Sequence, residues 1–99
     1  MYGTVMIGKV AAGVGVDDYR KAADEWREAR PTVGFVDEIV LLSDGGRLVL
    51  AVRFESKDAY VALADDPGQD QWWTTVMAPL LDGEPEWIDG DWVYDSRTA

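Results

Sequence analysis

Val33 to Phe54 reads VGFVDEIVLLSDGGRLVLAVRF, and this stretch decides the fold. Two β-rich runs, Val33 to Leu42 and Leu48 to Phe54, flank Ser43-Asp44-Gly45-Gly46-Arg47. Glycine supplies the positive-φ positions of a tight connection without steric cost, so the pair reads as an antiparallel hairpin. In the second run Leu48, Leu50, Val52 and Phe54 point one way, and Val49, Ala51 and Arg53 the other. In the first, Val36, Val40 and Leu42 oppose Phe35, Ile39 and Leu41. An antiparallel sheet covered on one side alternates apolar with polar residues. These strands are apolar on both sides.

Outward from the hairpin, Tyr2 to Val10 is a further strand, with Val5 and Ile7 opposite Met6 and Val10, and it closes at the glycine-marked loop around Gly13. Asp17 or Asp18 is expected to cap a helix running to about Arg30, where Pro31 stops it. Tyr19, Ala22, Ala23, Trp26 and Ala29 form its apolar stripe. Beyond Phe54, Ser56 caps a second helix, which Asp65-Asp66-Pro67-Gly68 breaks. A third begins near Gln69 to Gln71 and carries Trp72, Trp73, Val76, Met77, Leu80 and Leu81, with Pro79 predicting a kinked or irregular last turn. Pro85 to Tyr94 reads as the last strand, with Trp92 and Tyr94 on one face and Trp87 on the other. The order β-α-β-β-α(α)-β is the ferredoxin-like α+β arrangement, a four-stranded antiparallel sheet with helices on one face. Residues 1–95 are expected to form a single domain and residues 96–99 a frayed tail.

The helices can cover only one face. Burying a Leu, Ile or Val is worth about 1.5–3 kcal/mol, so half a dozen left in water would forgo about 10 kcal/mol. That is comparable to the whole stability of a small domain. A second copy, sheet against sheet about a two-fold axis, is the economical cover, so a homodimer is expected.

Composition excludes much chemistry. The chain of 99 residues has 9 Lys+Arg against 19 Asp+Glu, a formal charge of −10. Such a chain gains nothing from counterion release, so nucleic acid and anionic membrane surfaces are poor partners. Cysteine and histidine are both absent. Disulfides, thiolate zinc sites, thiol nucleophiles, the commonest general base and any Ser-His-Asp triad go with them. No stretch approaches the roughly 20 apolar residues of a membrane span, and Met1 to Gly13 lacks a basic start and reads as a strand rather than a signal peptide. A cytoplasmic protein is the expectation. Gly13-Val14-Gly15 lacks the third glycine of a dinucleotide fingerprint, where Asp18 stands. Asp89 and Asp91 share a strand face; they read as a solvated acidic edge that deters aggregation, or as ligands for a divalent ion.

Two sets of residues are candidates for a site. Trp26, Trp72, Trp73 and Tyr60 can wall a pocket for a planar ligand, or fill the space between helices and sheet. Adjacent Trp72 and Trp73 would point about 100° apart on a helix, so one is expected in the core and the other at a rim, a partner or a ligand. Arg53 lies in an apolar strand, where a cation needs a counter-charge. It reads either as an anchor for a phenolate or carboxylate substrate, or as a salt bridge with Asp37 or Glu38.

Gly34-Phe35-Val36 opening the second strand, Phe54-Glu55-Ser56-Lys57-Asp58-Ala59-Tyr60 leading into a helix, and Ala78-Pro79-Leu80-Leu81 before an acidic strand occur here in that order. In these phrases the chain resembles the antibiotic biosynthesis monooxygenase-like family of the dimeric α+β barrel superfamily. The resemblance implies a homodimer whose two sheets form a barrel. It also implies oxygenation of polycyclic aromatic phenols without metal or flavin, or, as in some relatives, degradation of heme. Some members carry a histidine at the start of the helix that leads into the Ala-Pro-Leu-Leu-like phrase, and Gln69 falls at about that place. With no histidine, heme ligation is not expected, and no cofactor or metal is expected. The functional expectation is a homodimer that binds a small aromatic compound in an aromatic-lined cavity between sheet and helices and oxidises it without a cofactor. A Tyr, or one of Asp37 and Glu38, would then serve as the base. The alternative is a non-catalytic dimer that binds a ligand or stabilises a partner protein.

Overall fold

The computed structural model describes residues 1–29 and 33–97. Strands β1 (Tyr2–Lys9), β2 (Phe35–Leu42), β3 (Arg47–Phe54) and β4 (Glu86–Asp91) form one antiparallel sheet in the order β2-β3-β1-β4. Helices α1 (Val16–Ala29), α2 (Lys57–Ala64) and α3 (Pro67–Trp72) complete the ferredoxin-like α+β fold read from the sequence. The hairpin forms at the expected turn. Gly46 has φ of 80° and its N–H donates to the Ser43 carbonyl at 3.1 Å. The expected stop at Pro31 and the last two residues of the tail lie outside the described residues.

Helix α1 starts one turn ahead of the acids expected to cap it. Asp18 sits inside the first turn and its carboxylate accepts the Gly15 N–H at 2.8 Å, the back-reaching half of a capping box. Ser56 caps α2 as expected, its hydroxyl accepting the Ala59 N–H at 3.1 Å. Helix α3 begins two residues before the expected start, because Asp66 caps it and Pro67 is well suited to a first helical turn. Past Trp72 the helix widens into a π-helical turn over Trp73–Met77 and ends in a 3-10 turn over Ala78–Leu80. Pro79 has no N–H to continue an α-helix, and Thr74 and Thr75 hydroxyls bond back to the carbonyls of Asp70 and Gln71.

Met6 and Leu48 are fully buried and pack with Tyr19, Ala22, Met77 and Leu81 between sheet and helices. The opposite face carries Val5, Ile7, Val49, Ala51, Ile39, Leu41 and Ile88, aligned across the four strands by register. It is apolar as expected, and within the protomer Ile39 and Leu41 remain 67% and 59% exposed. One assignment of faces is corrected. The β2–β3 register slips between Phe35 and Asp37, so a bulge at Val36 turns Phe35 to the helix side, against Trp26 and Phe54. From Asp37 onward the expected alternation holds, with Glu38 and Val40 on the helix side and Asp37 and Ile39 on the other.

The last strand is shorter than expected and ends at Asp91. Trp92 then folds over the end of the bare face, its indole N–H donating to the Val52 carbonyl at 3.2 Å. That position exists because residue 3 is glycine. A Cβ there would collide with the Val52 carbonyl and the Trp92 ring. Tyr94, expected to share the face of Trp92 in the strand, lies outside it and is 73% exposed. In the expected tail, Arg97 pairs with Asp95 at 3.0 Å and reaches Asp37 at 3.4 Å.

Candidate active site

A half-enclosed cavity of about 540 Å³ lies between the sheet and the helices. Its floor is organised by the strand register. Phe35, Phe54, Tyr2 and Asp91 form one row across the sheet; Glu38, Val52, Thr4 and Asp89 form the next; Val40, Leu50, Met6 and Trp87 form the third. A polar row therefore lies between an aromatic row and an apolar one. Glu38 and Asp89 stand at its two ends, about 14 Å apart at the backbone for three strand spacings.

The aromatic end is a chain of rings in edge-to-face or tilted contact. Trp26 meets Phe35 at 4.9 Å between centroids, Phe35 meets Phe54 at 5.9 Å, Phe54 meets Tyr60 at 5.4 Å, and Tyr60 meets Tyr2 at 5.5 Å. Such contacts fix ring orientation and add to simple burial. Trp26 is further held by its indole N–H, which donates to Gln69 Oε1 at 2.7 Å. Across the cavity Trp73 tilts against Trp87 at 5.1 Å.

Of the six residues singled out from the sequence, Trp26, Tyr60, Gln69, Trp72 and Trp73 line this cavity. Arg53 does not. It lies on the opposite face of the sheet, where Nε donates to Asp37 Oδ1 at 2.7 Å and the guanidinium also bonds Asp37 Oδ2 and Asp95 Oδ2. Of its two sequence-based readings the salt bridge to Asp37 is the one realised, with Asp95 as a second partner and Glu38 turned away. The Asp37 hydrogen bonds, then that of Asp95, hold the guanidinium pKa above its ordinary value. Trp72 and Trp73 also differ from expectation, since both line the cavity and both pack on the core. The π-helical turn begins at Trp73, and the i→i+5 bond from the Ala78 N–H to the Trp73 carbonyl replaces ordinary α-helical spacing there.

Glu38, named from the sequence as a partner of Arg53 or a base, stands on the walls, as do Asp70 and Asp89, which sequence reasoning did not place there. Glu38 lines the cavity and is exposed, although neighbouring side chains crowd its carboxyl. Desolvation raises its pKa above the ordinary glutamate value, partly offset by the field of Arg27 on α1. It makes no hydrogen bond among the described residues. Tyr60 donates its hydroxyl to Asp89 Oδ1 at 2.9 Å, and burial together with that bond pushes its pKa up to about 12. Tyr60 is thus a fixed proton donor rather than a base. Tyr19 is occupied as well, donating to the Leu80 carbonyl at 2.7 Å, with burial and then Asp18 raising its pKa. Trp72 Nε1–H is buried without an acceptor.

This fold is that of the antibiotic biosynthesis monooxygenase structures. SnoaB, a cofactor-independent oxygenase from Streptomyces nogalater, superposes with a TM-score of 0.76 at 18% identity, over 96% of this chain and 95% of that one. The heme-degrader MhuD from Mycobacterium tuberculosis, with two hemes bound in its active site, gives 0.72 at 21% identity over 96% and 98%. A candidate antibiotic biosynthesis monooxygenase from Nitrosomonas europaea gives 0.71 at 18% over 95% and 100%. No family model and no curated protein matches the sequence. At these identities the agreement is one of fold.

Heme does not fit this cavity. The chain has no histidine or cysteine to ligate iron. Tyr60, with its proton held so firmly, is a poor source of tyrosinate. No lysine or arginine among the described residues lines the walls to pair with propionates. Among the described residues no cluster of three or more acidic side chains is arranged to hold a metal ion, and no helix is long and apolar enough to cross a membrane.

Proposed function

We propose that this chain is a member of the antibiotic biosynthesis monooxygenase-like group, a cytoplasmic homodimer that binds a small, electron-rich aromatic compound between sheet and helices and oxygenates it without a cofactor. The carrying observation is the carboxylate of Glu38, partly desolvated and without a hydrogen bond among the described residues, on the wall of a cavity lined by aromatic rings. A carboxylate with a raised pKa is a better proton acceptor, and one placed at the polar row can take the phenolic proton of a ring held between the aromatic walls. The phenolate so formed is electron-rich enough to give electrons to dioxygen directly.

The reaction balances as phenol plus dioxygen giving quinone plus water. One oxygen atom bonds to a ring carbon and the other leaves as water, carrying the hydroxyl hydrogen and the displaced ring hydrogen. The phenol supplies the four electrons. Protein groups contribute orientation, exclusion of water and the proton transfer at Glu38.

The dimer rests on the bare face of the sheet. A second copy laid on Ile39, Leu41 and Ile88 would remove that apolar surface from water and close two sheets into a barrel.

The test is oxygen uptake with a panel of small dihydroxynaphthalenes and related phenols, followed with quinone absorbance. Turnover above the protein-free rate is expected, falling about a hundredfold or more in Glu38→Gln. Saturable binding of every phenol with no oxygen consumed would overturn the oxygenase reading and leave a ligand-binding dimer.

A further inference from the structure

The cavity has a sign. Three carboxylates, Glu38, Asp70 and Asp89, stand on its walls, and no cation among the described residues does. Two cations act from outside the walls. Arg27 acts on Glu38 from α1 through its field, and Lys57 Nζ stands 5.8 Å over the ring of Tyr2. Arg53 on the neighbouring strand is consumed on the opposite face. An anionic guest would meet this uncompensated negative charge at close range.

One end of the polar row is shaped to use that charge. Asp89 lies two residues from Trp87 on the same strand face, so their side chains are neighbours. The Tyr60 hydroxyl donates to Asp89 Oδ1, and Oδ2 has no partner among the described residues. Trp73 closes against Trp87. A carboxylate with an open oxygen, set among three aromatic rings, offers a cation both a charge-assisted hydrogen bond and π-faces. Neutral polar groups would gain only the first, and more weakly.

We propose that the compound taken by this cavity carries a protonated amine on its aromatic framework, with the ammonium seated on Asp89 among Tyr60, Trp73 and Trp87. This rests on the reading of the cavity as an aromatic-binding site and adds the charge of its ligand. The oxidisable ring then extends along the polar row toward Glu38, so binding and proton transfer use opposite ends. The overall charge of −10 favours the approach of such a cation.

Calorimetric titration of three ligands with one ring system, naphthylmethylamine, naphthylmethanol and naphthoate, reads the preference at neutral pH. The amine is expected to bind about tenfold or more tightly than the alcohol, with the carboxylate weakest. Asp89→Asn keeps an acceptor for Tyr60 and removes the charge. It is expected to cut the amine's advantage to about threefold or less, while alcohol affinity changes less than about twofold. Equal binding of all three ligands would overturn the inference and leave the aromatic cavity standing. Loss of the amine's advantage in Glu38→Gln but not in Asp89→Asn would overturn the assigned seat. Failure of all three to bind would overturn the cavity reading and the inference together. The wild-type series decides the charge preference even if Asp89→Asn does not fold.

Discussion

On one face of the sheet Met6 and Leu48 have lost all contact with solvent; on the other, Ile39 and Leu41 keep 67% and 59% of theirs. The same strands supply both sets, with the same kinds of side chain. The faces differ in what lies over them and in where charge is admitted. Under the helices, charge enters at the ends of the row between Glu38 and Asp89 and at Asp91 on the edge strand, and the cavity opens above that row. On the bare face, charge is confined to the ends of the strands, where Arg53, Asp37, Asp95 and Arg97 neutralise one another. Unbalanced charge suits a surface that selects a ligand. Balanced charge around an apolar centre suits a surface that meets another protein surface.

This contrast can be broken from either side. The largest effect is expected on the bare face. Ile39→Asp would put a carboxylate without a partner inside the proposed interface, at a cost of about 3 kcal/mol or more and a rise in dimer dissociation constant above a hundredfold. The same change at Val61, exposed on α2, should leave assembly alone. Sedimentation velocity over a dilution series separates the two variants, and equal behaviour would show that the bare face has no special role.

A smaller effect belongs to Glu38. Its folded pKa is raised, so the stability linked to its neutral form is present below the ordinary glutamate value and is lost as pH rises through the folded value. Glutamine stays neutral throughout. Glu38→Gln should therefore melt up to a few degrees above the parent at neutral pH, with the gap closing below a pH of about 4. Thermal melts across that range would contradict the desolvation of Glu38 if the gap were constant. The smallest effect is expected at Arg53. Arg53→Met should change the affinity of cavity ligands less than about twofold, because the residue faces the other way. A tenfold loss in the same calorimetric titration would restore Arg53 as a ligand anchor.

Much of this contrast was legible in the sequence because it rests on short-range signals. The turn at Ser43 to Arg47, the cap at Ser56 and the double-sided apolar pattern of β3 all follow from local chemistry. The errors share a different cause. A single bulge at Val36 moved Phe35 to the helix face, and nothing in VGFVDEIV marks where a strand slips by one residue. Asp89 read as an acidic edge because the register that sets it in one row with Thr4, Val52 and Glu38 is a long-range property of the sheet. Trp72 and Trp73 were separated by assuming ordinary helical spacing, which the π-helical turn suspends. Arg53 gained its second partner from Asp95, 42 positions away, through a chain segment that folds back only because Gly3 leaves room for Trp92.

The division of labour between the faces is tested most directly by sedimentation equilibrium of the unaltered protein at micromolar concentration. The account predicts one species at twice the 11.0 kDa chain mass. A stable species at 11.0 kDa would contradict it, since Ile39, Leu41 and Ile88 would then stand in water with nothing to cover them.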